Sequence, residues 1–412
     1  MKPHADRASA PPRDRVEEFQ GLYGPYQVSE RLIQRIWLRG ELDLARLHTV
    51  SGKTIRVIRP GEWNLLGGPD FLGADLEIDG RRMTGDVEIH FREADWFTHG
   101  HQHDPAYEKV ILHLVLFPGG SGRHPALTRR GREIEMAVLV DLLWHDLEEY
   151  AANDAVARIS GLSDDRALEL LLELEPEERR ARLRQLARER WNLKVHFAGI
   201  RIKRLGWSRA CHASAMEILG YSRNRSAMLM TADRYPVETW GEREADPDEI
   251  LGRSDIPWQF QGVRPANQPR IRLNQYAVMA SGAGSWIERL DEWPGSLAAL
   301  MPGSVDGSVG ELRRTLDLFH LRRRLKTVVM NRAVSGPRAD SMAVDGFLPL
   351  LATRGNSDLF ALWFAWPAGD VPERWRSTLK QAGVAGKDRS TPFTQGWFQG
   401  LIGLLLGLPI EG

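Results

Sequence analysis

Acids, glycines and histidines crowd one stretch of this 412-residue chain, residues 67–103, GGPDFLGADLEIDGRRMTGDVEIHFREADWFTHGHQH. Within GDVEIHF (85–91), strict alternation puts Val87, Ile89 and Phe91 on one face of a strand and Asp86, Glu88 and His90 on the other. Glu88 and His90 therefore point the same way. Asp70, in the GGPD corner before the preceding strand, reaches Glu88 if the two strands form a bent hairpin. Two carboxylates and a base suit hydrolysis assisted by Mg²⁺ or Mn²⁺: the acids hold a hard cation that acidifies its water, and His90 orients or deprotonates that water. A purely structural reading stands beside it, with Asp70 capping a turn and Glu88 facing solvent.

The histidines open a second chemistry. Five of the twelve, His90, His99, His101, His103 and His113, fall within 24 residues, a density that also fits Zn²⁺ or Fe²⁺. His101, His103 and Glu108 follow the HxHx4E spacing of cupin metal sites, but Asp95 and Val115 stand where that motif has glycines. His113 lies inside the apolar run VILHLVLF (110–117), where a lone histidine reads as a hydrogen-bonded core residue.

The elements that position these groups are legible from periodicity. VSERLIQRIWLRG (28–40) has helical spacing, with Ser29 as cap and Gly40 as stop. KTIRVIRPG (53–61), DFLGADLEIDG (70–80) and GDVEIHF read as three strands, the last two joined by a short glycine-bounded link. DPAYEK starts a short helix, VILHLVLF is a buried strand, and REIEMAVLV (132–140) is one more. From about Asp141 the pattern turns helical. The charged runs 175–191 and 311–326 read as solvated helix faces, and 239–255 as an exposed excursion. The expected organisation is α+β: a polar, disordered tail over 1–23, a mixed α/β domain over 24–140 and a mainly helical domain over 141–412.

Totals narrow the function classes. Basic and acidic residues balance at 55 each, so attraction to DNA, RNA or an acidic membrane has to be local. No run approaches a membrane span. A single cysteine, Cys211, excludes an internal disulfide framework, and the first 20 residues lack the apolar core of a secretory signal, so the cytosol is the expected compartment. No phosphate-cradling glycine loop, GxSxG or credible cysteine nucleophile is present.

The αβββαβ order, with Pro69-Asp70 followed by Glu88-Ile89-His90, resembles the PD-(D/E)xK phosphodiesterase superfamily. That resemblance implies a nuclease acting on DNA or RNA, with Asp70 and Glu88 holding Mg²⁺ or Mn²⁺ and Glu30 as the upstream supporting acid. His103 and Tyr107 fall where RecB-like members carry Gln and Tyr. His90 departs from the pattern by standing where the superfamily has lysine, so either the histidine takes the orienting role or the domain is a non-catalytic nucleic-acid or protein-binding module on a nuclease-like fold. The runs GEWNLLGGPDF, GDVEIHFREADW and HGHQHDPAYEKVILHLVL are also similar to an uncharacterised bacterial family, domain of unknown function 2851, as are LGYSRN (219–224) and GVRPANQPRIRLNQ (262–275). That likeness implies that histidine after the glutamate is the usual pattern. In the last element Arg264, Asn267, Arg270, Arg272 and Gln275 suit either contact with a substrate phosphate or docking of the helical region.

Overall fold

The computed structural model describes residues 18–20, 26–119, 125–159, 164–242, 244–282, 284–293, 308–355, 358–386 and 391–407. The chain divides into two compact units, residues 1–143 and 144–412. The expected tail, 1–23, lies outside the described residues except at Glu18–Gln20 (β1), a short strand that pairs antiparallel with Gln27–Ser29 (β2). Helix α1, Glu30–Arg39, follows at once and buries Leu32, Ile33, Ile36 and Trp37. Ser29 holds its N-cap position without a capping bond from its side chain, and Gly40 ends it in a left-handed conformation, φ +61°.

The sheet of this unit comprises β3 (Ile55–Arg59), β4 (Glu62–Trp63), β5 (Phe71–Ile78), β6 (Arg81–His90), β7 (Val110–Val115) and β8 (Glu135–Val138). Its order is β3-β5-β6-β7-β8, with β4 also on β5. The β3, β5 and β6 pairings are antiparallel, whereas β6–β7 and β7–β8 are parallel. The expected mixed α/β unit is present, but the two-residue strand β4 lies between the first and second of the three expected strands, so four strands separate α1 from the next α-helix.

The hairpin link is tighter than expected. Ile78 pairs with Arg81, leaving only Asp79-Gly80 in the turn, both at positive φ (+52° and +75°). Asp-Gly is a favoured pair for such a turn, whose backbone twist matches that of the strands it joins. β6 therefore begins four residues before the GDVEIHF pattern does. It is buried from Gly85 to His90 on both faces, because α1 and the 3-10 turn Pro105–Lys109 each pack on it. The DPAYEK helix is this 3-10 turn.

In the second unit every regular element among the described residues is helical. The elements used below are α3 (Leu147–Ile159), α4 (Asp164–Leu172), α5 (Pro176–Leu205), α6 (Trp207–Gly220) and α7 (Arg225–Arg234). The charged run at the start of α5 is not wholly a solvated face: Arg179 is buried and donates to the carbonyls of Leu171, Leu174 and Ala382. The stretch 239–255 is largely exposed, as expected, but Trp240, Ala245 and Ile250 anchor it in the core. Cys211 is buried, and burial raises its thiol pKa, which suits a structural residue. No helix among the described residues is long and apolar enough to cross a membrane.

The 262–275 element organises this unit locally. Arg272 is buried with its guanidinium donating to Gln275 Oε1 at 2.8 Å and to Asn267 Oδ1, so the motif's Asn and Gln hold its inner Arg. Burial, then the nearby Arg338, lowers the Arg272 pKa to about 10. Arg338 lies 4.4 Å over the ring of Tyr221 in the LGYSRN element, and Asn224 of that element exchanges two hydrogen bonds with the backbone of Gln259.

Candidate metal centre

Strand register builds the acidic half of the site. Phe71 of β5 is paired with Val87 of β6, and a bulge separates this pair from Ala74 and Gly85. Continuing the register outward sets Asp70 opposite Glu88. The Asp70 amide donates to Glu88 Oε2 at 2.9 Å, and the Ile89 amide donates to Asp70 Oδ2 at 3.0 Å. The other Asp70 oxygen accepts from Gln34 Nε2 of α1 at 2.6 Å, and Gln34 in turn accepts from Trp63 Nε1 at 3.0 Å. Both Asp70 oxygens thus face protein donors, as in a brace. Glu30 is buried in the first turn of α1, and Gln34, one turn on, donates to Asp70.

The parallel pairing of β6 with β7 sets His113 beside Glu88, so Asp70, Glu88 and His113 form one row across three strands. His90 stands two residues beyond Glu88 on the same face. After it the chain doubles back: Asp95 Oδ2 accepts the Arg92 amide at 2.7 Å, helix α2 (Asp95–Thr98) makes one turn, and Gly100 reverses direction at φ +78°. That reversal returns His99 and His101 to His90.

The convergence is on one atom. His90 Nε2 lies 3.1 Å from His99 Nδ1, 3.3 Å from His101 Nε2 and 3.4 Å from Glu88 Oε1. Glu88 Oε1 is also 3.4 Å from His101 Nε2. Ligand atoms bound at ~2.0–2.1 Å around a tetrahedral ion sit roughly 3.3 Å apart, close to these four contacts, and the ligand atoms of His90, His99 and His101 all lie within 4.8 Å of one another. His90, His101 and Glu88 are buried, while His99 is partly exposed. Tyr107 stacks on His101 at 3.8 Å between ring centres, and Trp96 meets both His101 and His113 at 5.3 Å.

His90 Nδ1 is engaged with His113 Nε2 at 2.9 Å, so the tautomer of this pair decides whether His90 Nε2 carries a proton or a lone pair. Burial, then the neighbouring imidazoles of His113, His101 and His99, hold the His90 pKa well below the usual histidine value. Burial, then His101, lowers His113 to about 3. Imidazole nitrogens gathered beside a carboxylate suit a metal ion, and His90, His99 and His101 form a group able to hold one.

The remaining expected residues divide. Tyr107 and His101 belong to the cluster, whereas His103 is solvent-exposed and Glu108 accepts from Thr128 Oγ1 at 3.2 Å. The HxHx4E spacing therefore does not assemble a cupin-type centre. His99, His113 and Gln34 were missed as site residues. The histidine density flagged the first two, and helical spacing four residues after Glu30 pointed toward Gln34.

No curated protein and no solved structure matches the chain. A family model described as "Protein of unknown function (DUF2851)" matches residues 30–252, more than half of the chain, and takes in every residue of the cluster. This chain belongs to that family.

Proposed function

We propose that the N-terminal unit is a metal-dependent hydrolase of phosphodiesters in DNA or RNA, with an ion of the Zn²⁺, Mn²⁺ or Fe²⁺ class held by His90, His99, His101 and Glu88. The carrying observation is the convergence of two further imidazole nitrogens and a carboxylate oxygen on His90 Nε2. A nitrogen-rich set moves the preference away from Mg²⁺, which favours oxygen ligands. When bound, such an ion lowers the pKa of its water and neutralises charge on a phosphate.

The chain's own residues set the rest. Asp70, braced by Gln34 and the Ile89 amide, fixes Glu88 through its own backbone amide, so that Oε1 faces the histidines. His99, the partly exposed member, marks the side from which substrate enters. The phosphodiester assignment draws support from the αβββαβ element order, with β4 inserted, and from the acids that begin β5 and lie near the end of β6, as in the resemblance to PD-(D/E)xK enzymes. Nothing in the balanced net charge favours a long nucleic-acid channel, so contact with the substrate is local.

The test combines elemental analysis of purified protein with cleavage assays on bis(p-nitrophenyl) phosphate, single-stranded DNA, duplex DNA and RNA. The expected result is a stoichiometric transition ion, lost with His101→Ala, and cleavage abolished by His90→Ala and Glu88→Gln. A protein that holds the ion and cleaves none of these moves the assignment to small-molecule chemistry. One that binds no transition ion sinks the metal reading.

A further inference from the structure

The polar atom in the sheet that the metal reading leaves unexplained is on His113. This side chain is fully buried in the middle of β7, flanked by β6 and β8. Its Nε2 meets His90 Nδ1 at 2.9 Å, and its Nδ1 has no hydrogen-bond partner among the described residues. An apolar residue would fill a central strand position without leaving a buried polar atom unsatisfied. Some requirement at His90 is therefore being met by an imidazole.

We infer that His113 is the positioning residue of the centre: it accepts a hydrogen bond from His90 Nδ1–H and so locks His90 in the tautomer whose Nε2 lone pair faces His99, His101 and Glu88. The proton assignment follows from geometry. If Nε2 of His90 is to bind a cation, its single proton resides on Nδ1. The atom 2.9 Å away then acts as acceptor, so Nε2 of His113 is bare and its own proton sits on the unpartnered Nδ1. The parallel β6–β7 register fixes the approach, because Glu88 and His113 are directly paired.

The choice of partner has a chemical consequence. Metal-bound histidines commonly give their second N–H to a carboxylate, a carbonyl or water, and a carboxylate makes the ligand more basic. A neutral imidazole acceptor draws less on that proton. His90 then donates less charge, and the ion keeps more of its electrophilicity for water or substrate.

This inference rests on the metal reading above, and its test is chosen so that the two can fail separately. Full-length protein is prepared as wild type, His113→Leu and His113→Gln, the last placing an amide oxygen where Nε2 lies. Zn²⁺ affinity is measured by competition with a chromogenic chelator, and the tautomer of His90 is read by ¹⁵N NMR of histidine-labelled protein before and after Zn²⁺. Loss of an outer hydrogen-bond partner weakens metal binding ~10–100-fold, the change expected for His113→Leu, with His113→Gln restored toward wild type. The expected wild-type spectrum shows His90 protonated on Nδ1 even without metal. A His90 protonated on Nε2, or, where wild type binds Zn²⁺, equal Zn²⁺ affinity in wild type and a folded His113→Leu, overturns the inference. If wild type shows the expected tautomer but takes up no Zn²⁺, Mn²⁺ or Fe²⁺, the proposed function falls while the positioning role of His113 stands.

Discussion

Each unit buries a cluster of ionisable side chains, and the two clusters are built on opposite rules. In the helical unit, Glu217 of α6 accepts from Arg201 of α5 at 2.9 Å and Arg225 of α7 at 2.7 Å, and lies 3.0 Å from His145 Nε2. Arg201 also donates to Glu149 of α3 at 3.0 Å, to Ser214 Oγ at 2.8 Å and to His145 Nδ1 at 2.9 Å. Every donor there meets an acceptor, and His145 serves once as each. In the N-terminal unit, three imidazole nitrogens and one carboxylate oxygen crowd together, and none of these contacts involves a guanidinium or ammonium. Buried charge that closes on itself is scaffold, whereas a cluster of imidazoles beside a carboxylate is a group able to hold a cation. The contrast extends to single histidines. His212 of α6 bonds the Tyr235 carbonyl through Nε2 at 2.9 Å and the Tyr276 hydroxyl through Nδ1, whereas His113 uses one nitrogen only among the described residues.

The largest expected effect tests the scaffold side. Glu217→Ala removes the shared acceptor of Arg201, Arg225 and His145 and is expected to cost about 3–5 kcal/mol, the range for breaking a buried ion pair from one side. Denaturant unfolding measures it. Metal stoichiometry is expected to stay unchanged, and a loss under 1 kcal/mol would show that the network is ornamental.

Next comes a pH dependence that a single histidine of the helical unit supplies. Burial lowers the His212 pKa to about 4, against ~6.5 in an unfolded chain. Between those values the unfolded chain binds the extra proton, so stability is complete above ~pH 6.5 and falls as pH drops toward 4, by ~3 kcal/mol in all. Comparing wild type with His212→Gln from pH 7 to 4 isolates the effect: the variant loses that slope. Equal slopes would mean that His212 can be protonated without unfolding.

Removing the ion tests the other side of the contrast. An ion present at 100 times its dissociation constant stabilises the fold that binds it by about 2.7 kcal/mol. Chelation is therefore expected to speed hydrogen exchange at residues 86–90 of β6 and to leave 210–219 of α6 unchanged. Equal response in both stretches would break the distinction drawn here.

How much of this could be read in advance depends on whether a feature is periodic. Leu32, Ile33, Ile36 and Trp37 announced α1, and alternation announced β5 and the inner half of β6, because burial on one face imposes a period. The outer half of β6 was missed because Arg81 and Arg82 are exposed and resemble loop residues, although Asp79-Gly80 is a strong hairpin signal. Alternation also set Glu88 and His90 on one face but could not tell that both faces are covered. His99 and His101 come from a chain reversal at Gly100 with no period, so their number was visible and their membership was not. His103, equally polar and two residues further on, points to solvent. Asn267 and Gln275 flank Arg272 at spacings that a helix start brings together, yet their roles as its acceptors needed coordinates.

The smallest expected effect decides which acids belong to the centre. Gln34→Ala deletes one hydrogen bond to Asp70 Oδ1 and is expected to cost about 1 kcal/mol, the net worth of a single such bond. The Ile89 amide still holds Asp70 Oδ2, and the Asp70 amide still holds Glu88 Oε2, so Glu88 Oε1 keeps its place beside His90 and His101. Metal content is therefore expected to survive the substitution, and the same holds for Asp70→Asn, which keeps the Asp70 amide on Glu88. If either variant loses the ion while His99→Ala retains it, coordination lies at the Asp70–Glu88 pair and the histidines are packing. If both retain it and His99→Ala does not, the braced acid is scaffold that borders on chemistry, and the boundary between the two kinds of buried cluster runs through Glu88.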